Sequence, residues 1–276
     1  MNFFLALFLG IVQGVAEFLP ISSSGHLSIF QNLFGLSAPG SAYLLFDVML
    51  HIGTLVSICV VYSKDIRAMV TDTLAFLNRR DEREARPTPN TRTIFLILIA
   101  TLPLLIAVPF TSKISLLFRK TGFVGVMLIM TGVILYVSDR FLTDGSKKAR
   151  TLSVTDALLI GAAQMLALLP GFSRSGATIC VARAVGADRS FAVKFSLLLS
   201  IPAVLGSAVI TFFDAVAAGV DWSALPLYLV GAAVAGVVGI FAINLLRSFA
   251  AKDKFRYLAY YCGGLGALTC LLSLMI

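Results

Sequence analysis

The sequence predicts an all-α integral membrane protein: six full transmembrane helices plus two re-entrant helix–loop–helix hairpins in an inverted-topology repeat. Three observations carry this. Charged residues make up 13% of the chain against 58% hydrophobic ones, with a mean hydropathy of +0.94, whereas a soluble domain carries roughly 25% charged residues. Two apolar segments are interrupted by polar, proline- and glycine-containing runs and resemble each other. The net charge of +8 is gathered into short stretches between apolar runs and forms no basic face, which makes it a topology signal and argues against nucleic acid as a partner.

Crossing a hydrocarbon core of ~30 Å takes about 20 apolar residues. Six stretches meet that length: roughly 42–62, 93–110, 121–141, 190–214, 224–246 and 256–275. Residues 65–79 read as a surface helix, and the run "RRDEREARPTPNTR" that follows reads as solvent-exposed. Residues 2–36 are apolar at both ends but broken by Pro20 and "SSSG"; residues 153–186 are broken by "PGFSRSG". The amino terminus has no Lys or Arg before Lys64, so it lacks the basic region of a signal peptide and is read as part of the mature chain. The four cysteines, Cys59, Cys180, Cys262 and Cys270, show no metal or disulfide spacing and read as buried, inert thiols. The whole, 1–276, is expected to be one membrane domain.

The two broken segments align without a gap at a shift of 151. Gly10 falls on Gly161, Gln13 on Gln164, Ala16 on Ala167, Ser22 on Ser173, Ser24 on Ser175 and Gly25 on Gly176. This predicts an internal repeat with halves of about 1–141 and 153–276. The distribution of basic residues tests whether the broken segments span. If the second one enters and leaves on the same side, 18 Lys and Arg lie on one side of the membrane against three (Lys113, Arg119, Lys120) on the other; if 153–169 spans, the division is 11 to 11. The positive-inside bias favours the re-entrant reading. The first segment carries no basic residue, so its placement rests on the repeat. Three spans then separate the copies, which gives them opposite orientation, with both termini outside and a site where the broken helices meet near the midplane. A half-helix of about 10 residues rises about 15 Å, half the core, so the two breaks are expected to meet.

Irregular backbone at that depth needs protein or water around it, and Ser and Gly suit such turns. Glu17 and Asp47 are the two acids well inside apolar stretches, and an ionisable group there costs about 2.5–3.5 kcal/mol on insertion scales, so each is a functional candidate. Glu17 lies four residues from Gln13, on one helix face. Asp47 and His51 share the same spacing and read equally well as a structural pair. His26 follows Ser22, Ser23 and Ser24 at the start of a half-helix, where an imidazole can serve as base, nucleophile or proton donor. Arg174, in "PGFSRSGAT", needs an anionic partner. Its planar fork fits phosphate, and Ser173, Ser175, Thr178, Gly171 and a helix amino terminus complete an anion cradle. A structural Arg174–Glu17 salt bridge joining the two copies is the competing reading. Two function classes follow: a hydrolase acting on the phosphate of a lipid, and a transporter for an anionic lipid or solute.

"QGVAEFLPISSSGH" (Gln13 to His26) and "PGFSRSGAT" (Pro170 to Thr178), with "FDVMLHIGTL" (Phe46 to Leu55) between them, closely resemble the signatures of the undecaprenyl-diphosphatase family, historically the bacitracin-resistance proteins. The resemblance covers essentially the whole chain. It implies a multi-pass enzyme of the bacterial cytoplasmic (inner) membrane, open to the outer face. Such an enzyme converts undecaprenyl diphosphate to undecaprenyl phosphate, recycling the carrier lipid for peptidoglycan and other envelope polymers. It also implies dependence on Mg²⁺ or Ca²⁺. Carried over by position, Glu17 matches the second acid of the family's (Glu/Gln)-x-x-x-Glu motif, His26 its essential histidine, Arg174 its phosphate-binding arginine and Ser23 a serine proposed as nucleophile. Ser22, Ser24, Gly171, Ser173, Ser175 and Thr178 are expected beside the phosphates. Glu17 with Gln13 is the expected metal site; because Gln13 stands where some members have Glu, a two-carboxylate site from this pair is excluded. The expected partners are a polyprenyl diphosphate and the bilayer, with a homodimer left open.

Overall fold

A computed structural model describes residues 2–34, 41–78, 86–217, 219, 222–252 and 254–274; the ends of the first predicted hairpin (35 and 36) and residues 79–85 of the polar run lie outside them. Twelve α-helices form among the described residues. Helix α1 (Phe3–Phe18) and α2 (Ser23–Leu33) flank the first break. They are followed by α3 (Ser41–Val61), α4 (Ser63–Asn78), α5 (Pro89–Ala107), α6 (Thr111–Leu117) and α7 (Thr121–Phe141). The second half runs through α8 (Val154–Leu166) and α9 (Arg174–Ala184), flanking the second break, then α10 (Arg189–Ala217), α11 (Leu225–Ala251) and α12 (Phe255–Ser273).

Five segments are long and apolar enough to cross a membrane: Leu44–Val61, Pro89–Leu117, Thr121–Phe141, Arg189–Ala217 and Trp222–Ala251. The protein is therefore an all-helical, multi-pass membrane protein. The sixth expected span, 256–275, coincides with α12, a 19-residue helix whose opening turns carry Arg256, Tyr257, Tyr260 and Tyr261 and so dilute its apolar character. The outward faces are hydrocarbon: Phe241 is 70% exposed, Phe141 69% and Leu105 63%. Such surface is stable only against lipid. Cys180 and Cys262 are buried as expected, but Cys59 is exposed on α3, where nothing prevents a small apolar thiol from facing lipid. Helix α4 lies where a surface helix was predicted, starting two residues earlier, and is tied to α10 by a Lys194–Asp65 ion pair.

Within lipid there is little hydrophobic force between helices, so close packing and hydrogen bonds hold them together. Glycines permit that packing here. A Cβ on Gly10 would lie 2.7 Å from the Gly231 carbonyl oxygen, and one on Gly14 2.8 Å from that of Ala235, so α1 rides directly on the α11 backbone. Gly161, the repeat mate of Gly10, stands in the same way against the Ala100 carbonyl of α5. Each half-helix thus packs against a long helix of the other half. Further pairings join α7 to α12 and α3 to both α10 and α11, and one large buried cluster runs from Phe18 and Ile58 through Leu135 and Ile160 to Phe195 and Leu246.

These approaches leave no room for a side chain. Gly14→Leu and Gly161→Leu are each expected to destabilise the protein by about 1–3 kcal/mol, the usual cost of overpacking, read as a lowered midpoint of thermal unfolding in detergent. Gly263→Ala, which faces open space, should leave that midpoint unchanged.

Candidate active site

Each break follows from local chemistry. Leu19 precedes Pro20, which disfavours helical backbone, and it adopts φ −64°, ψ 140°; α1 stops there. Ser22 then takes φ 72°, the only positive value at a non-glycine residue among those described, a conformation that costs of order 1–3 kcal/mol and clusters at functional sites. Its hydroxyl accepts from the Gly25 N–H at 3.2 Å and caps α2. In the second break Gly171 turns the chain at φ 94°, against the Val124 carbonyl, where any Cβ would collide. Thr131 of α7 steadies this loop, donating to the Gly171 carbonyl at 3.0 Å and accepting from the Ser173 N–H at 2.9 Å. Ser173 caps α9 through the Gly176 N–H, also at 3.2 Å, the repeat image of the Ser22 cap. A Ser–Ser hydroxyl contact of 3.3 Å recurs in both copies, Ser22 with Ser24 and Ser173 with Ser175.

The two breaks touch. The Ser175 hydroxyl donates to the Leu19 carbonyl at 3.4 Å, and a Cβ on Gly25 would stand 3.0 Å from the Gly171 Cα. At this junction several side chains converge on Glu17, which is 7% exposed. Ser23 donates to its Oε2 at 2.6 Å and Gln13 Nε2 to the same atom at 3.1 Å. Arg174 Nη2 is hydrogen-bonded to Oε1, and His51 Nε2 lies 3.9 Å from Oε2. Ser23 and Arg174 are the first residues of α2 and α9 and are related by the repeat shift, so the two copies each send their opening residue to one carboxylate. Two helix amino termini, each carrying a partial positive charge, add to the field that favours an anion here.

The other predicted residues divide. Ser22, Ser24, Gly171, Ser173 and Ser175 lie in the two breaks or the first turns after them. Thr178 faces away, its hydroxyl donating to the Arg174 carbonyl at 2.8 Å and lying 2.5 Å from the Ser196 hydroxyl of α10. His26 is not hydrogen-bonded to Ser23. Its Nδ1 lies 2.8 Å from the Ser22 carbonyl, which can only accept, so Nδ1 carries the proton and Nε2 accepts from the Tyr261 hydroxyl at 2.7 Å. The two rings stack, with centroids 5.6 Å apart. The Asp47 carboxylate takes Gln31, at 2.9 Å, while His51 Nδ1 bonds the Asp47 carbonyl; the two side chains do not pair as the spacing suggested. Tyr261 and Thr131 were not singled out from sequence. Neither stands out among the polar residues of its helix, and only the three-dimensional packing brings them to the breaks.

No cluster of three or more His, Cys, Asp or Glu able to hold a metal occurs among the described residues. The Gln13 Oε1 atom, however, is buried without a hydrogen-bond partner, while the amide nitrogen beside it bonds Glu17. One carboxylate and one amide oxygen form a hard, oxygen-only donor set. It fits an Mg²⁺-like ion that takes its remaining ligands from water and phosphate.

The sequence profile of the family described as "Bacitracin resistance protein BacA" matches residues 6–268. The chain is 35% identical to the undecaprenyl-diphosphatase of Alkaliphilus metalliredigens over 283 residues, covering all of both chains. It is 37% identical to that of Methanosphaera stadtmanae, covering 98% of each chain, and 39% identical to that of Rhodopirellula baltica, covering 96% of each.

The Glu17–Arg174 pair sets a stability prediction. Removing one partner from a buried ion pair costs about 3–5 kcal/mol because the other charge is left uncompensated. Glu17→Gln and Arg174→Ala should each approach that cost. The double variant should be less destabilised than their sum by at least about 1 kcal/mol, measured as a double-mutant cycle of unfolding free energies in detergent.

Proposed function

Because the chain belongs to the BacA family of bacitracin-resistance proteins, we propose that it is a membrane phosphatase that hydrolyses undecaprenyl diphosphate to undecaprenyl phosphate and inorganic phosphate. This activity recycles the carrier lipid for cell-wall synthesis and gives resistance to bacitracin. The observation that carries the reading within the molecule is the contact of the Ser23 hydroxyl, the Glu17 carboxylate and the Arg174 guanidinium at the junction of two helix breaks.

Phosphoryl transfer asks a protein mainly for positioning and charge stabilisation. In the proposed reaction Arg174 exchanges Glu17 for the diphosphate oxygens, assisted by Ser24, Ser175 and the amides opening α2 and α9. Ser22 and Ser173 act as caps that aim those amides, and Gly171 lets the backbone approach. Ser23 Oγ attacks the terminal phosphorus, its proton passes to Glu17 Oε2, and the bond to the bridging oxygen breaks, releasing undecaprenyl phosphate. Water then hydrolyses the phosphoserine, giving inorganic phosphate and restoring the hydroxyl. The hydrogen bond in hand favours Glu17 over His26 as the base for Ser23. His26, joined to Tyr261, then acts by holding the Ser22 turn and as a second proton carrier. Thr178 fixes α9 against α10. A divalent cation, Mg²⁺ or Ca²⁺, held by Glu17 and Gln13, would supply neutralising charge to the phosphate oxygens.

The architecture proposed around this site has six spans, α12 being the sixth, and two hairpins that enter and return. The basic-residue bias together with the repeat puts both termini outside in this reading, and the family resemblance has the site's mouth on the outer face. An inverted repeat is supported by the cross-pairing of α1 with α11 and α8 with α5, by the matched serine caps, and by the equivalent roles of Gly10 and Gly161. The family membership favours the hydrolase over a transporter built on the same symmetry.

Purified protein in detergent should release phosphate from a C55 or shorter prenyl diphosphate with Mg²⁺ and stop with EDTA. Ser23→Ala and Arg174→Ala should each lower kcat by about 10²-fold or more. A phosphoserine should be trapped on acid quenching. Full activity in Ser23→Ala would transfer the nucleophile to water or His26, and lipid binding without phosphate release by a folded wild type would favour the transporter. Tyr261→Phe, which leaves His26 Nε2 without its donor, should lower kcat several-fold with little change in KM.

A further inference from the structure

At the end of the bundle richest in Lys and Arg, away from the active site, a cavity of about 470 Å³ opens between α4, α5, the 142–153 loop and the start of α10. Its wall carries Lys148, Arg150 and Lys194, with Asn90, Thr93 and Thr151 as hydrogen-bonding groups. Lys194 is neutralised by Asp65. Asn90 donates to the Asp72 carboxylate at 2.9 Å, while Lys148 and Arg150 have no carboxylate within ion-pair distance among the described residues, so the basin keeps an excess of positive charge. Met69 lines both this basin and a second cavity of about 220 Å³ between α4, α5 and α10, so the two adjoin across one side chain. That second cavity is wholly apolar, lined by Ile66, Val70, Leu98, Pro202 and Leu205 among others.

A cationic, hydrogen-bonding basin adjoining a hydrocarbon groove is amphipathic in the same sense as a membrane lipid. We propose that it is a binding site for an anionic phospholipid, with the phosphodiester headgroup against Lys148 and Arg150 and one acyl chain along the groove. The charge complementarity selects an anion, and the groove selects one carrying a chain; a soluble phosphate would leave the apolar half empty. The bilayer supplies such molecules at high local concentration, and basic pockets between helices on the positive side are where anionic headgroups settle. The occupied groove would brace α4 against α5 and α10, on the side of the bundle opposite to the reaction's mouth. The proposal does not depend on the catalytic reading, since no residue of the basin or groove belongs to the active site.

The test uses the full chain in neutral detergent, titrated with short-chain phosphatidylglycerol or phosphatidylcholine and read by native mass spectrometry. Each unpaired cation near an anionic headgroup contributes about fivefold in affinity. Phosphatidylglycerol should therefore bind about 30-fold more tightly than phosphatidylcholine, and Lys148→Gln with Arg150→Gln should erase the difference. Leu98→Trp or Leu205→Trp, at half-exposed groove positions, should block binding while leaving the unfolding midpoint in lipid-free detergent unchanged. Lys252→Gln with Lys254→Gln, charges of another loop, should not affect it, and inorganic phosphate should not compete. Equal binding of the two lipids, or equal loss in the Lys252/Lys254 variant, would overturn the site. Effective competition by phosphate would overturn the lipid in favour of a soluble anion.

Discussion

One carboxylate, Glu17, buried where the chain twice interrupts its own helices, is the constraint on which the rest depends. A charge in that environment has to be compensated, and the fold compensates it from both halves. Arg174 pairs with one oxygen; Ser23 and Gln13 hydrogen-bond the other. For these partners to arrive, both helices must break near the same point, and where a helix restarts in apolar surroundings its free N–H groups must find oxygen. The serine caps, the Thr131 bridge and the contact between the loops satisfy that requirement. The glycines of α1 and α8 then bring the half-helices close enough to their neighbours for the junction to be reached.

The repeat explains the frame better than it explains the chemistry. Caps, close-packed glycines and the opening positions of α2 and α9 correspond between the copies. The functional groups do not: Leu168 stands in place of Glu17, Ala177 in place of His26, and Arg174 in place of Ser23. Ser22 has a positive φ, while its mate Ser173 has φ −73°. Matched sequence segments thus frame an unmatched site, the acid and hydroxyl coming from the first break and the guanidinium from the second.

Much of this was legible in the sequence because the relevant forces are local or periodic. Long apolar runs specify helices, and Leu19-Pro20 and Pro170-Gly171 specify breaks. An Arg and a Glu stranded in hydrocarbon point toward each other by electrostatics alone. What sequence did not yield depends on rotation and register of helices far apart in the chain. Tyr261 reaches His26 across more than two hundred residues, and His51 turns toward Glu17 rather than toward the Asp47 side chain its spacing suggested. Thr178 looked like part of the anion cradle, yet its hydroxyl is taken up by the Arg174 carbonyl one turn back and by Ser196 of α10, a partner the sequence does not place beside it. The expected span at 256–275 coincides with α12, but the tyrosines and Arg256 of its opening turns keep it off the set of helices apolar enough to cross a membrane.

The pairing of Glu17 with Arg174 has a consequence for turnover. With no lipid present, the guanidinium is already occupied by an anion that belongs to the protein and can never diffuse away. In the proposed reaction an incoming diphosphate has to outcompete this tethered rival, which its higher charge allows it to do. After cleavage each fragment holds fewer charges than the substrate did, and the resident carboxylate is still in place to reclaim its partner. The enzyme thereby carries its own displacing ligand, and the contact that stabilises its resting state is the same one that would expel its products.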